Sequence, residues 1–266
     1  MGIQGDLEEK AMEIVLIKNL KKDYGSRLGG NVTHALRGIN LGVEKGEFLG
    51  VMGPSGSGKT TLLNCISTID TPTSGHVHIG GEDILALKGK ALTAFRRDKL
   101  GFVFQDFNLL DTLTLEENIL LPLALARKPV AEIEVRVAQA AGALGIEEIL
   151  DKYPYEVSMG QKQRAAVARA IVGEPHLVLA DEPTGSLDSK SGRDVLTSFA
   201  RLNTERQATI LMVTHDPFAA SFCSRVVFLK DGLLFNELIS GGKRGEFFDR
   251  IMDVLAVMGG ESRDRQ

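Results

Sequence analysis

Gly53-Pro54-Ser55-Gly56-Ser57-Gly58-Lys59-Thr60 constrains this chain more than any other stretch. The apolar run Phe48-Leu49-Gly50-Val51-Met52 before it reads as a buried strand, and Thr61-Leu62-Leu63-Asn64-Cys65-Ile66 after it reads as the opening of a helix. That is the G-x-x-x-x-G-K-[ST] phosphate loop in the strand–loop–helix setting it needs. Glycines let the backbone curl with its N–H groups pointing inward, and the helix N-terminus adds a partial positive charge. In such a loop Lys59 reaches the β- and γ-phosphates of a nucleotide, and the Thr60 hydroxyl ligates Mg²⁺. A chance glycine-rich turn would match the pattern in roughly one chain in a hundred of this length, before the flanking elements are counted. The stretch is a nucleotide site.

Composition narrows the partners. With 266 residues the chain has ample core for one large domain or two small ones. A net charge of −4 gives no field for nucleic acid, and Arg96-Arg97 and Lys162/Arg164/Arg169 read as solvated helix faces. Cys65 and Cys223 read as buried reduced thiols, which fits a reducing cytosol. The longest apolar run, Ile119 to Ala126, is interrupted by Pro122 and falls far short of the ~20 residues that span a bilayer. The opening segment, with Asp6, Glu8 and Glu9, lacks the apolar centre of a signal peptide. Met1-Gly2 lacks the Ser or Thr at position 6 of a myristoylation motif. The expectation is a protein that reaches a membrane only by binding something in it.

Periodicity predicts an α/β chain. Strands are expected over Glu13–Lys18, Ala35–Ile39 and Phe48–Met52, with Lys22-Asp23-Tyr24-Gly25-Ser26 as a polar turn. His76-Val77-His78-Ile79 alternates as an exposed strand, with both histidines on one side and no further ligands nearby to make a metal site. Gly101-Phe102-Val103-Phe104 reads as a buried strand ending on Gln105. From there to about Tyr155 the pattern is helical: Thr114-Leu115-Glu116-Glu117 opens one helix with a capping box, and a second runs from Val130 to Leu144. The alternation of strand and helix resumes near Gln161, with strands at Leu177–Ala180 and Thr209–Val213 and a helix from Ser189 to about Thr204 between them. A short helix follows Asp216, a hairpin forms around Lys230-Asp231-Gly232, and the last periodic segment is Phe247–Val257. Gly259-Gly260 and the polar tail are expected to fray.

Three strand ends then supply chemistry. Leu177-Val178-Leu179-Ala180 ends in Asp181-Glu182. The first carboxylate suits an Mg²⁺ shared with Thr60; the second is placed to polarise a water for in-line attack on the γ-phosphate. His215 ends the strand Thr209–Thr214 on the same rim, where open parallel sheets bind ligands, and can donate to a γ-phosphate oxygen. Gln105 ends a third strand and can contact the metal or the attacking water.

Val157-Ser158-Met159-Gly160-Gln161-Lys162-Gln163-Arg164 precedes the Asp181 strand by one helix, and Pro183-Thr184-Gly185-Ser186-Leu187-Asp188 follows it. With these stretches the chain resembles the nucleotide-binding domain of ABC transporters. Gly53–Thr61 matches the Walker A motif, Gln105 the Q-loop, and Ser158–Gln161 the signature. Leu177–Asp181 matches Walker B, Glu182 the catalytic base, Ser186–Asp188 the D-loop and His215 the switch histidine. Tyr24 falls where the family places the aromatic that stacks on adenine. All occur in family order over roughly residues 12 to 240.

The resemblance implies an α/β fold. Its P-loop NTPase core, a mostly parallel sheet flanked by helices, carries an antiparallel β subdomain and an inserted α-helical subdomain. The ATP-binding domain would span 12–240 with the insert at about 106–156, and 241–266 would be a C-terminal helix and polar tail. It further implies ATP and Mg²⁺ as cofactors and a homodimer with two composite sites. In each, the signature helix of one subunit, through Ser158, Gly160 and Gln161, points its N-terminus at the γ-phosphate held by the other's Walker A loop. The family usually has glycine where this chain has Met159. The site survives if that side chain points away, and is strained if the backbone there needs a positive φ.

Asn108–Thr114 and Glu117–Leu123 resemble the branch containing the macrolide-exporter, lipoprotein-release and cell-division ATPases. Within it, Asp111, Asp151–Pro154, Thr214–Pro217 running on to Cys223–Val226, and Phe247-Phe248…Ile251-Met252 look closest to Bce-type transporters of bacitracin and other antimicrobial peptides. By that resemblance two copies bind the cytoplasmic face of a bacterial permease, which partners a sensor histidine kinase, and nucleic acid is no partner. The permease groove is expected between the Gln105 segment and the insert, lined by Phe104, Phe107 and Leu109. The alternatives are an ABC ATPase that transmits force without transport and, more remotely, a soluble ABC protein of DNA repair or translation.

Overall fold

The computed structural model describes residues 13–25 and 32–260. Met1-Gly2, Asp6, Glu8, Glu9, the expected domain start at residue 12, Ser26 and the tail beyond Gly260 lie outside the described residues. In chain order, β1 (Glu13–Tyr24) and β2 (Thr33–Glu44) pair, β3 (Phe48–Met52) enters α1 (Lys59–Ile66), and β4 (Ser74–Ile79) and β5 (Glu82–Asp83) follow. α2 (Gly89–Lys99) runs into β6 (Leu100–Val103), and then come α3 (Leu115–Leu125), α4 (Val130–Leu144) and α5 (Met159–Ile171). β7 (Leu177–Asp181), α6 (Ser189–Arg206), β8 (Ile210–Val213), α7 (Pro217–Ala220), β9 (Arg225–Lys230), β10 (Leu233–Ile239) and α8 (Arg244–Gly260) complete the order.

The larger sheet has the order β10-β9-β3-β8-β7-β6, parallel throughout except for β10. The smaller is antiparallel, β2-β1-β4-β5. Alternate residues of the parallel strands feed two separate cores. Leu49, Val51, Leu177, Leu179, Leu211 and Val213 face α1 and the antiparallel sheet. Phe48, Met52, Val178, Ala180, Ile210 and Met212 face the helical side. Burial on both faces explains why these strands read as unbroken apolar runs. Because the strands run parallel, β3, β6, β7 and β8 all deliver their carboxyl ends to one rim.

Several expectations need correction. β1 runs through Lys22-Asp23-Tyr24, where the sequence suggests a turn, pairing with Leu36, His34 and Thr33. A bulge explains the misreading. Asn19 sits at φ +47, opposite Gly38 at φ +107, and the register shifts between Ile17 and Leu20. That extra residue breaks the period of two, so Leu20 returns to the core and the apparent strand looks shorter than it is. β2 is longer than Ala35–Ile39 for the same reason. α8 continues through Gly259-Gly260 rather than fraying there.

The helical insert is tied down by one buried amide. Asn118 on α3 is fully buried; its Oδ1 accepts from Leu110 N at 2.7 Å, and its Nδ2 faces the carbonyls of Leu110, Leu113 and Thr114 at 2.9–3.2 Å. Thr114 and Glu117 form the expected capping box. Arg164 and Arg169 are not the solvated face expected of them. Arg169 is half-buried and donates to the Asn108 and Phe107 carbonyls at 2.6 and 3.0 Å, while Arg164 donates to Leu144 and Gly145. Cys65 and Cys223 are free and buried.

Candidate nucleotide site

The phosphate loop keeps its shape because neighbouring backbone leaves no room for side chains. A Cβ on Gly53 would collide with the Leu229 carbonyl of β9, and one on Gly58, at φ +103, would lie 2.5 Å from the Ala35 carbonyl of β2. The β9–β10 turn is bonded to both: Gly232 N donates to Ser57 O at 3.1 Å, and Arg37 N donates to Gly232 O at 2.9 Å. The loop from Ser55 to Thr61 floors a cavity of about 880 Å³, walled by Glu182 and His215 and, opposite, by His34, Arg37 and Asp231.

Lys59 is 9 % exposed and donates from Nζ to the Gly53 and Pro54 carbonyls at 2.8 and 3.0 Å. Burial pushes its pKa down, against the pull of Glu182 and Asp181. Asp181 closes β7 beside Val213 of β8. Burial, reinforced by Glu182 and opposed by Lys59, pushes its carboxyl up. Two buried oxygens here lack a partner, Ser57 Oγ and Asp181 Oδ1. Orphaned buried polar atoms at a phosphate loop and at a strand end beside it ask for a bound group. A hydroxyl beside a curled loop suits a phosphate, and a carboxylate with the Thr60 hydroxyl suits a hard cation. The residues present therefore fit a nucleotide with Mg²⁺.

Glu182 adopts φ +46, a left-handed conformation unusual for glutamate and typical of residues held for function. Its N–H donates to Val213 O at 2.9 Å, and its Oε1 lies 2.8 Å from His215 Nδ1. Gln105, exposed, rests its side chain against Gly185, just beyond Glu182. Neither Gln105 nor Asp181 lines the 880 Å³ cavity directly. Tyr24 is 41 % exposed and also outside the lining, although its hydroxyl lies beside Thr61, which is part of it.

Ser158, Gly160, Gln161 and Asp188 are not brought to this cavity by the chain that carries it. Ser158 caps α5 reciprocally with Gln161, Oγ accepting at 3.3 Å and Gln161 Oε1 accepting at 2.9 Å. Gly160 is buried where a Cβ would press on Ser191 of α6 at 2.9 Å. Asp188 caps α6, and the hydrogen bonds from Ser191 and Lys190 hold its carboxyl below the usual range. Met159 opens α5 with no positive φ and its side chain 56 % exposed, so the conformational strain that the sequence left open is absent.

Sequence reading missed Gln163. Fully buried on α5, it donates to the Phe104 carbonyl at 3.1 Å and the Pro183 carbonyl at 2.7 Å, tying the end of β6 to the backbone after Glu182. Its signal was available: Gln163, Ala166, Val167 and Ala170 share one helical face, and a glutamine on an otherwise apolar face must spend its amide on something. Of the residues expected to line a permease groove, Phe104 borders a cavity of about 460 Å³ with Phe102, Leu121, Leu125 and Arg169 among others. Phe107 and Leu109 do not line it; Leu109 packs on the core instead, because φ +62 at Phe107 and +48 at Asn108 turn the chain.

The description of the ABC transporter family matches residues 36–185. The chain is 56% identical over 250 residues to the ABC transporter ATP-binding protein YvcR of Bacillus subtilis, covering 94% of this chain and 96% of that one. It is 52% identical over 254 residues to the bacitracin export ATP-binding protein BceA of Halalkalibacterium halodurans, covering 95% and 100%. Among solved structures it matches the dimeric, post-hydrolysis ATP-binding cassette MJ0796 bound to ADP and Pi, of Methanocaldococcus jannaschii, with a TM-score of 0.77 and 40% identity, covering 86% of this chain and 100% of that one. With phosphate loop, paired acids and histidine on one rim, the chain belongs to the ABC transporter family, as an ATP-binding subunit that hydrolyses ATP.

Proposed function

We propose that this chain powers a bacterial permease that confers resistance to bacitracin-like antimicrobial peptides, working as an ATP-closed homodimer on the membrane's cytoplasmic face. One observation carries the dimer: the cavity has a phosphate loop, base and histidine but no contact with Ser158 or Gly160, while the N-terminus of α5 is presented elsewhere with Ser158 exposed. A second copy would complete each site, and the dimeric cassette MJ0796 is a precedent. In this reading Glu182 activates water, His215 and the Ser158 and Gly160 groups of the partner copy face the γ-phosphate, Tyr24 stacks on the base, and Thr60, Asp181 and Gln105 hold Mg²⁺. In the same reading residues 12–240 form the ATP-binding domain, with the insert at about 106–156, and 241–266 a C-terminal helix and polar tail.

The peptide-resistance reading is supported by the 52% identity to BceA along that protein's whole length. MJ0796 matches 82% of this chain at 94% of its own length, whereas BceA matches 95% of this chain and all of its own, so this chain shares the extent of BceA. No helix among the described residues is long and apolar enough to cross a membrane, which agrees with docking on a separate permease. The groove at Phe104, Leu121 and Leu125 is the proposed seat for it, and a sensor histidine kinase would be reached only through that permease.

The experiment is a pull-down of tagged Glu182→Gln protein with ATP from native membranes. A polytopic permease with an extracellular domain is the expected companion, and bacitracin should stimulate ATPase activity of the reconstituted complex. Recovery only from the soluble fraction, with ribosomes or DNA, would overturn the transporter reading.

A further inference from the structure

Asp70 lies in the turn after α1, its own N–H donating to the Asn64 carbonyl at 3.0 Å. Its carboxylate gathers donors from β1 and from the turn. Lys22 Nζ at 2.6 Å and Thr71 N at 2.7 Å reach Oδ1, and the Tyr24 hydroxyl reaches Oδ2 at 2.7 Å. Lys22 also donates to the Thr71 carbonyl at 2.7 Å, and its ammonium stands 4.8 Å from the centre of the Tyr24 ring. The phenol also lies beside Thr61, on the first turn of α1 and on the cavity wall. Burial alone would raise the Asp70 pKa, but the Lys22 and Tyr24 hydrogen bonds outweigh it and keep the carboxylate charged.

Tyr24 is therefore pinned at its oxygen and has an ammonium over its ring, yet remains 41 % exposed. A ring fixed before a ligand arrives loses little rotamer freedom on stacking. We propose that Asp70 is a positioning residue for nucleotide binding: it fixes the Tyr24 ring as a preset shelf for a planar nucleobase. Through the turn it occupies, the shelf is joined to the helix that begins at the phosphate loop. The proposal rests on the reading that Tyr24 stacks on the base. Since every base has a π-face, such a shelf favours ATP and GTP over base-free polyphosphate without choosing between them.

The test is equilibrium titration of the full chain with a non-hydrolysable ATP analogue, its GTP counterpart and tripolyphosphate. Tyr24→Ala should weaken both nucleotides about 5- to 100-fold, the range of a lost base–aromatic stack. Asp70→Ala and Tyr24→Phe should each weaken them about three- to tenfold, with the double variant no worse than either single one. Tripolyphosphate binding should not change in any of them. If Tyr24→Ala binds nucleotide normally, the base-stacking reading fails, and the Asp70 proposal with it. If Tyr24→Ala weakens binding but Asp70→Ala and Tyr24→Phe do not, stacking stands and the positioning role is overturned. Equal loss of nucleotide and tripolyphosphate in Asp70→Ala would also overturn it, by showing distortion of α1.

Discussion

His215 Nδ1 lies 2.8 Å from Oε1 of Glu182, across the ends of the neighbouring strands β8 and β7. A carboxylate can only accept, so Nδ1 carries the proton and Nε2 is the nitrogen left for a ligand. The Glu182 side chain is 17% exposed and that of His215 72%, so the histidine is the more solvent-facing member of the pair. Glu182→Gln should leave ATP affinity near normal and lower turnover about 10²–10⁴-fold, the usual range for loss of a general base. His215→Ala should lower turnover too, and the double variant should be no slower than Glu182→Gln alone, because the pair acts as a unit. Single-turnover ATPase assays check both, and near-normal hydrolysis by Glu182→Gln would remove it from the role.

Lys59 gives a pH signature. Burial lowers its pKa in the nucleotide-free chain, so it begins to lose its charge below the 10.5 of ordinary lysine. Bound phosphates favour the cation, so the pKa is higher in the complex and binding takes up a proton in the window between the two values. ATP affinity should therefore fall as pH rises through that window. Titration calorimetry from pH 7 upward checks the sign. Lys59→Ala should bind ATP weakly throughout and lose this component of the pH dependence.

Met159→Gly and Gly160→Ala should differ sharply in effect. Met159 already has helical geometry and points outward, so restoring glycine should change turnover less than about twofold and cost only the small helix penalty of glycine. Gly160→Ala places a methyl 2.9 Å from Ser191, which must push α5 and α6 apart at the surface offered to the partner copy. ATP-induced dimerisation should weaken sharply while monomer ATP binding persists. Size-exclusion with light scattering separates the two.

Gln163→Leu keeps the volume but removes the amide donor to the Pro183 carbonyl and leaves the Phe104 carbonyl only the 3.4 Å hydrogen bond from Phe107 N. Leaving a buried carbonyl such as that of Pro183 unpaired costs about 1–3 kcal/mol. Urea denaturation should show a loss in that range, with reduced turnover because Gln105 and Glu182 lie next to those two carbonyls.

Leu125→Asp puts a charge in the groove between α3 and β6, on a side chain 68 % exposed and distant in sequence from every phosphate contact. Basal ATPase activity should persist and permease recovery from membranes should drop. Unchanged recovery would move the docking surface elsewhere.

What could be read from the sequence follows the length scale of the interactions. The phosphate loop and the Asp181-Glu182 strand end were legible because backbone geometry dictates residue types over a few consecutive positions, and the parallel sheet aligned them as expected. The course of β1 was not, because the bulge at Asn19 is answered by Gly38 on another strand and leaves no local period. Arg169 looked like one more surface cation, and only the fold reveals that left-handed Phe107 and Asn108 turn their carbonyls toward it. Asp70 is silent for the same reason: its partners lie 46 and 48 residues earlier.

The most direct measurement is the mass of purified Glu182→Gln protein by light scattering, with and without ATP. A monomer that doubles its mass only when ATP is present, and fails to do so when Gly160→Ala is added, is the expected result. A chain that binds ATP stoichiometrically and stays monomeric at every concentration would contradict the composite site.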